Sequence, residues 1–196
     1  DPYVRLLVSP DGVLVSPLAG DASGRRYERW SQPEFPPLIH MDASDDRANS
    51  VSDFARIATH LRELGISAPE IYARDGDRLL IEDLGDTIFT SVLENNPKTE
   101  SDLYLSAVDL LIEVQRAPPP NGLKFFSPRE MSVAISPAFE WYQLGAKGVN
   151  DNQAMATVIS HFEVALESTY SKKPVMVLRD YHADNLLWLP SREGVA

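Results

Sequence analysis

Residues 177–189 read Val177-Leu178-Arg179-Asp180-Tyr181-His182-Ala183-Asp184-Asn185-Leu186-Leu187-Trp188-Leu189. An apolar run enters a knot of charged and amide groups, and a second apolar run leaves it. "PVMVL" (174–178) and "LLWL" (186–189) read as a short β pair enclosing a tight loop. On such a loop a carboxylate and an amide five residues apart, Asp180 and Asn185, can face one point. Phosphoryl transfer uses that pairing: the carboxylate orients a hydroxyl and accepts its proton, and the amide oxygen ligates Mg²⁺. Alone, Asp-x-x-x-x-Asn is a weak signal. Both residue types also cap turns with their own side chains, so turn capping stands as the alternative.

Composition narrows the setting of that loop. The chain has 196 residues, with 29 acids against 18 bases and a formal net charge of −11. A field of that sign repels nucleic-acid backbones and anionic membranes, so neither is an expected partner. A local nest of amides and bases can still hold a phosphate against the global field. There is no cysteine, which excludes disulfides, thiol catalysis and cysteine-ligated metals. No apolar run approaches a membrane span, and "DPYVRLLVSPDG" lacks the basic-then-apolar order of a signal peptide. A cytoplasmic protein is the expectation.

Toward the N-terminus, short apolar runs alternate with turns. "VRLLV" and "VLVSPL" flank Ser9-Pro10-Asp11-Gly12, which reads as a hairpin. "YERW" and "PLIHMDA" read as strands. A helix is expected over about residues 52–64, with Phe54, Ile57, Ala58, Leu61 and Leu64 on one face and Gly65 at its end. "EIYARDGDRLLIEDL" reads as two strands around Asp75-Gly76. "LAGDASGRRY" (18–27) can bring backbone amides close to a phosphate, or can be a plain turn. "LLIEDLGD" (79–86) runs from a buried strand into acids and a glycine, where exposed backbone groups could read an adenine edge; alone it is simply a linker. Beyond it the pattern turns helical. Leu103, Ala107, Leu110, Leu111 and Val114 share a face, Ser127-Pro128 and Ser136-Pro137 look like helix starts, and a further helix follows Asp151.

The serial order of these pieces resembles a bilobal kinase. The segments "LAGDASGRRY", "MDA", "LRELGISAPEIYA", "LLIEDLGD", "AVDLLIEVQ" and "RDYHADNLLWLP" resemble the aminoglycoside phosphotransferase and choline-kinase-like family over nearly the whole chain. The nearest branch is the bacterial phosphotransferases related to cell-wall amino-sugar kinases, which phosphorylate N-acetylmuramate and N-acetylglucosamine. The resemblance implies an α+β, protein-kinase-like bilobal fold. Residues 1–87 would form an antiparallel-sheet N-lobe with one helix and a hinge at 82–86. Residues 88–196 would form part of a mainly helical C-lobe, with a catalytic loop at 178–185. It implies ATP and Mg²⁺ as cofactors, and a small-molecule acceptor, a sugar or amino sugar, taking the γ-phosphate on a hydroxyl. By the same resemblance Asp180 is the catalytic residue, Asn185 the metal ligand and His182 the brace of the loop. Gly20, Ser23, Gly24, Arg25 and Arg26 lie over the nucleotide phosphates, and Glu82, Asp83 and Leu84 hold adenine.

Three departures qualify that reading. Leu178 stands where the family usually has a histidine. Met41 stands where many kinases place a phosphate-binding Lys on the third strand, and alternation sends His40 to the opposite face. Arg25 and Arg26 are then the candidate cations, an exposed strand pair being the alternative. Asp53 is the nearest acid that would partner such a Lys. The family's second metal-binding Asp is expected about ten residues past Ala196, so the 196-residue chain alone is expected to be inactive. A nucleotide-binding pseudokinase or regulatory module is the alternative function. In "AFEWYQLG" (138–145), Phe139, Trp141 and Tyr142 could line a sugar site or belong to a core.

Overall fold

The structure is a computed structural model describing residues 1–18, 24–46, 51–170 and 173–192. The chain divides into two compact units, residues 1–120 with 175–196, and residues 121–174.

The larger unit is built on a five-stranded antiparallel sheet. Its strands are β1 (Leu14–Pro17), β2 (Arg26–Gln32), β3 (Phe35–Asp42), β4 (Ile71–Asp75) and β5 (Arg78–Glu82), in the order β1-β2-β3-β5-β4. The β4–β5 turn places Gly76 at φ +57°, a left-handed conformation that glycine adopts without a Cβ clash. Side chains alternate between two faces. Trp30, Leu38, Ala73 and Leu80 pack on one face with Leu6 and Leu7 of helix α1 (Pro2–Val8). Ile39, Met41, Leu79 and Ile81 pack on the other with Val51 of helix α2 (Val51–Glu63).

Helix α1 corrects the expected hairpin, in which "VRLLV" is a strand. The Asp1 carboxylate accepts hydrogen bonds from the backbone N–H of Tyr3 at 2.8 Å and Val4 at 3.3 Å, and Pro2 occupies the first turn. Both are helix-start features. A strand would send Leu6 and Leu7 to opposite faces. The helix buries both, and Tyr3 joins them at the i, i+3, i+4 spacing, stacking on Tyr72 with ring centroids 4.7 Å apart.

After β5 come α3 (Phe89–Asn95), a 3₁₀ turn (Pro97–Thr99) and α4 (Glu100–Arg116). Phe89, Leu103 and Ala107 form a third apolar cluster, against which Tyr181, Ala183, Leu186 and Trp188 pack. The expected β pair between 174–178 and 186–189 does not form. Leu187 instead bridges Ile88, the Phe89 N–H donates to the Leu186 carbonyl at 2.9 Å, and the Trp188 N–H donates to Thr87 at 2.7 Å. Residues 87–89 thus take hydrogen bonds that a strand over 174–178 would need.

In the smaller unit α5 (Pro128–Val133) carries a complete capping box. The Glu130 N–H donates to Ser127 Oγ at 3.2 Å, and the Ser127 N–H donates to Glu130 Oε2 at 2.8 Å. A π-helical turn (Ala138–Gln143) leads into α6 (Leu144–Lys147), and α7 (Asn152–Thr169) follows, capped by Asp151. Arg129 on α5 pairs with Glu163 on α7 at 2.9 Å. Trp141 and Tyr142 are 76% and 78% exposed, so neither is a core residue. No helix among the described residues is long and apolar enough to cross a membrane.

Candidate active site

The loop at 180–185 sits on the apolar floor formed by α3 and α4. Tyr181 donates its hydroxyl to the Ala107 carbonyl at 2.7 Å, and burial raises that hydroxyl's pKa above the ordinary tyrosine value. Residues 183–185 make one 3₁₀ turn, closed by the Asn185 N–H donating to the His182 carbonyl at 2.9 Å. The Asn185 side chain then turns back on the loop. Its Nδ2 donates to the Asp180 carbonyl at 3.0 Å and lies 3.2 Å from His182 Nε2. With the amide nitrogen committed inward, Oδ1 is the end left for a ligand.

Asp180, His182 and Asn185 are exposed, and the Asp180 carboxylate takes no hydrogen bond from a described group. One carboxylate and one amide oxygen form a hard donor set. Among the described residues no three carboxylate, His or Cys side chains converge on a metal-sized space. A sparse oxygen set of this kind suits Mg²⁺, which takes one or two protein ligands and fills the rest from water and substrate phosphates.

Residues 82–86, the expected hinge, are held differently. Arg29 on β2 gives a forked pair of hydrogen bonds to Asp83, at 2.6 and 3.0 Å, and another pair to Asp86, at 2.9 and 2.8 Å. Those bonds raise the guanidinium pKa well above its ordinary value and lower that of Asp86 below the ordinary carboxylate range. Asp83 also accepts the Gly85 N–H at 2.9 Å, with Gly85 at φ +81°. The Glu82 carboxylate takes the Glu70 N–H at 3.2 Å, Arg62 at 3.5 Å and Arg192. Glu82 and Asp83 thus brace the sheet. Leu84, between them and Gly85, is half-buried.

Of the glycine-loop residues, Gly20 and Ser23 lie outside the described residues. Gly24 has a steric reason to be glycine, since a Cβ there would stand 2.7 Å from the Asp45 carbonyl oxygen. Arg25 pairs with Asp46 at 2.9 Å and lies 5.6 Å over the Phe54 ring, with its side chain only 14% exposed. Arg26 is exposed and shared between Asp42 at 2.8 Å and Asp45 at 3.2 Å. Asp42 also accepts from Ser44, and these bonds, Ser44's first and Arg26's second, hold its pKa well below the ordinary carboxylate range. Met41 is wholly buried. His40 does face the opposite side, where its ring stacks on Trp30 at 4.4 Å and Nδ1 lies 3.2 Å from Glu28 Oε2. Asp53 pairs along its own helix with Arg56 at 2.7 Å.

Sequence reasoning missed Arg29, Thr90 and Tyr181. Thr90 donates its hydroxyl to Asp184 at 2.5 Å across 94 residues, and Arg29 reaches Asp83 across 54. Periodicity carries no signal for such pairs. For Tyr181 there was one: an aromatic inside a polar loop asks for a partner for its hydroxyl.

Residues 14–195 match the family model described as the phosphotransferase enzyme family. Three similar proteins each carry the description N-acetylmuramate/N-acetylglucosamine kinase. That of Caulobacter vibrioides is 28% identical, over 91% of this chain and 59% of its own length. That of Pseudomonas putida is 29% identical, over 95% and 54%. That of Pseudomonas aeruginosa is 28% identical, over 91% and 53%. The chain spans just over half the length of these relatives.

Proposed function

This chain belongs to the phosphotransferase enzyme family, with the protein-kinase-like α+β fold that membership implies, and from that premise we propose that it serves an ATP-dependent small-molecule kinase whose acceptor is an amino sugar. The observation that carries the reading is the loop at 180–185. An exposed carboxylate, with no hydrogen-bond partner among the described residues, stands beside an amide whose nitrogen is tied down and whose oxygen is left for a ligand. That is the division of labour phosphoryl transfer asks of two side chains.

In this reading residues 1–87 hold the nucleotide, with the hinge at 82–86, and residues 88–196 carry the catalytic loop. Because Glu82 and Asp83 are spent on the sheet, adenine is met by the hinge backbone and by Leu84. Asp180 orients the acceptor hydroxyl and takes its proton as the hydroxyl oxygen bonds to the γ-phosphorus. The bond from that phosphorus to the β–γ bridging oxygen breaks, and ADP departs with the electron pair. Asn185 Oδ1, with substrate phosphates, would hold Mg²⁺, which supplies charge neutralisation on the phosphate oxygens. Met41 supplies no cation, and Arg25 is held by Asp46. Phosphate charge therefore falls to the metal, the loop amides near Gly20–Gly24 and the more accessible Arg26. The three relatives' description makes N-acetylmuramate and N-acetylglucosamine the first acceptors to try, and a cytoplasmic setting goes with the use of ATP.

The test is ADP release by the product of the whole reading frame, with Mg·ATP and each amino sugar, an aminoglycoside and choline as acceptors. Asp180→Asn is expected to lower turnover by about 10³-fold while calorimetric Mg·ATP affinity stays within about twofold. Equal trace turnover in both proteins, with ATP still bound, would favour the pseudokinase alternative.

A further inference from the structure

We infer that Thr90 and Asp184 are positioning residues that set, through His182, which end of the Asn185 amide faces the reaction site. The functional half of this inference rests on the kinase reading above; the hydrogen-bond assignment does not.

The four side chains form one chain of contacts. Thr90 Oγ1 donates to Asp184 Oδ1 at 2.5 Å, and Asp184 Oδ2 lies 3.6 Å from His182 Nδ1. His182 Nε2 lies 3.2 Å from Asn185 Nδ2, which also donates to the Asp180 carbonyl at 3.0 Å. An amide nitrogen has two hydrogens and no acceptor capacity. One hydrogen goes to the Asp180 carbonyl, so the other faces Nε2, and Nε2 must be the accepting nitrogen. A neutral imidazole with Nε2 accepting carries its proton on Nδ1, the nitrogen turned toward the Asp184 carboxylate. At 3.6 Å the Asp184 carboxylate makes no hydrogen bond to Nδ1, but its negative charge favours the tautomer that turns an N–H dipole toward it, and Thr90 fixes Asp184 by holding its other oxygen.

The opposite tautomer sets two donors against each other at His182 and Asn185. The amide can relieve that by turning over, but Oδ1 then faces the Asp180 carbonyl, acceptor against acceptor, and Nδ2 points outward. An N–H group cannot ligate a cation. The backbone already anchors the loop, through the Phe89–Leu186 and Trp188–Thr87 hydrogen bonds and the bridge from Ile88 to Leu187. What the side-chain relay adds is the orientation of one amide. Its near end, Thr90, sits in the first turn of α3 just past the hinge.

The experiment has two arms. In metal-free protein at one fixed pH near 8, ¹⁵N spectra of His182 are expected to show the Nδ1–H tautomer in the parent and in Thr90→Ser. A mixture is expected in Thr90→Val and Asp184→Ala. In the second arm Mn²⁺·ATP affinity, read by electron paramagnetic resonance, is expected to fall about tenfold in Thr90→Val and Asp184→Ala and to return in Thr90→Ser. Metal-free ATP affinity and the melting temperature should not move. An Nε2–H tautomer in the parent overturns the inference, and so does a Thr90→Val protein with parental tautomer and parental Mn²⁺ affinity. If the tautomers behave as stated but the parent binds no Mn²⁺·ATP, the kinase reading and the positioning role fall together and the hydrogen-bond assignment stands.

Discussion

At the hinge, a single guanidinium is forked onto two carboxylates, and a third carboxylate, on Glu82, receives a backbone N–H and two more arginines. At the 180–185 loop no described base pairs with Asp180, polar side chains meet through single contacts, and apolar anchoring comes from Phe89, Leu103 and Ala107 beneath. In the kinase reading proposed above, the contrast follows from what each region would offer. A segment that meets adenine through main chain can spend its side-chain charges on rigidity. A loop that offers a carboxylate as proton acceptor cannot, because a salt bridge on Asp180 would stabilise the charged form and weaken it as a base. Apolar packing, backbone hydrogen bonds and the Thr90–Asp184 contact hold the loop without touching that charge.

Mutations should separate the two modes. The largest effect is expected from Asp180→Asn, a loss of about 10³ in kcat with the melting temperature unmoved, since no described protein group depends on that carboxylate. A large melting shift would mean the loop is braced by charge after all. Next comes Arg29→Ala, which strands Asp83 and Asp86 together. Arg29 is about a quarter exposed and Asp86 is open to solvent, so we expect about 2 kcal/mol in urea unfolding rather than the full cost of breaking a buried pair. An unchanged midpoint would show that the hinge is set by its backbone alone. Tyr181→Phe should cost about 1 kcal/mol, the usual worth of one hydrogen bond, and should sharpen the contrast by lowering kcat only a fewfold.

The smallest effect lies on the sheet side. Folding lowers the pKa of Asp42, so its contribution to stability is complete above the unfolded carboxylate pKa of about 3.9 and is lost as pH falls through the depressed folded value. The stability gap between parent and Asp42→Asn should be flat above about pH 5 and close in stronger acid. A gap that widens on acidification would contradict the Ser44–Asp42–Arg26 arrangement.

Local signals in the sequence transferred well. The helix over 51–63, the hairpin turning at Gly76 and the helix start at Ser127-Pro128 each depend on residues within one element. Asp180 and Asn185 were readable as residue types at a spacing, and the resemblance named His182 as the loop's brace, but the contacts of Asp184 with Thr90 and of His182 with the Asn185 amide were not, because they form only in the folded loop. Elsewhere two local signals competed. Ser9-Pro10-Asp11-Gly12 argued for a hairpin, while Tyr3, Leu6 and Leu7 carried helical spacing, and burial of both leucines decided for the helix. The pairing of Leu187 with Ile88 rather than with 174–178 is likewise a tertiary choice between equally apolar runs.

The three tryptophans fall in three different settings: Trp30 is 6% exposed and stacked on His40 in the sheet, Trp188 meets Phe89 beneath the catalytic loop, and Trp141 stands 76% exposed in the smaller unit. Their emission should separate from blue to red in that order. Variants retaining one indole each would give every region its own optical reporter, so that melting of sheet, loop floor and smaller unit could be followed by light within a single chain.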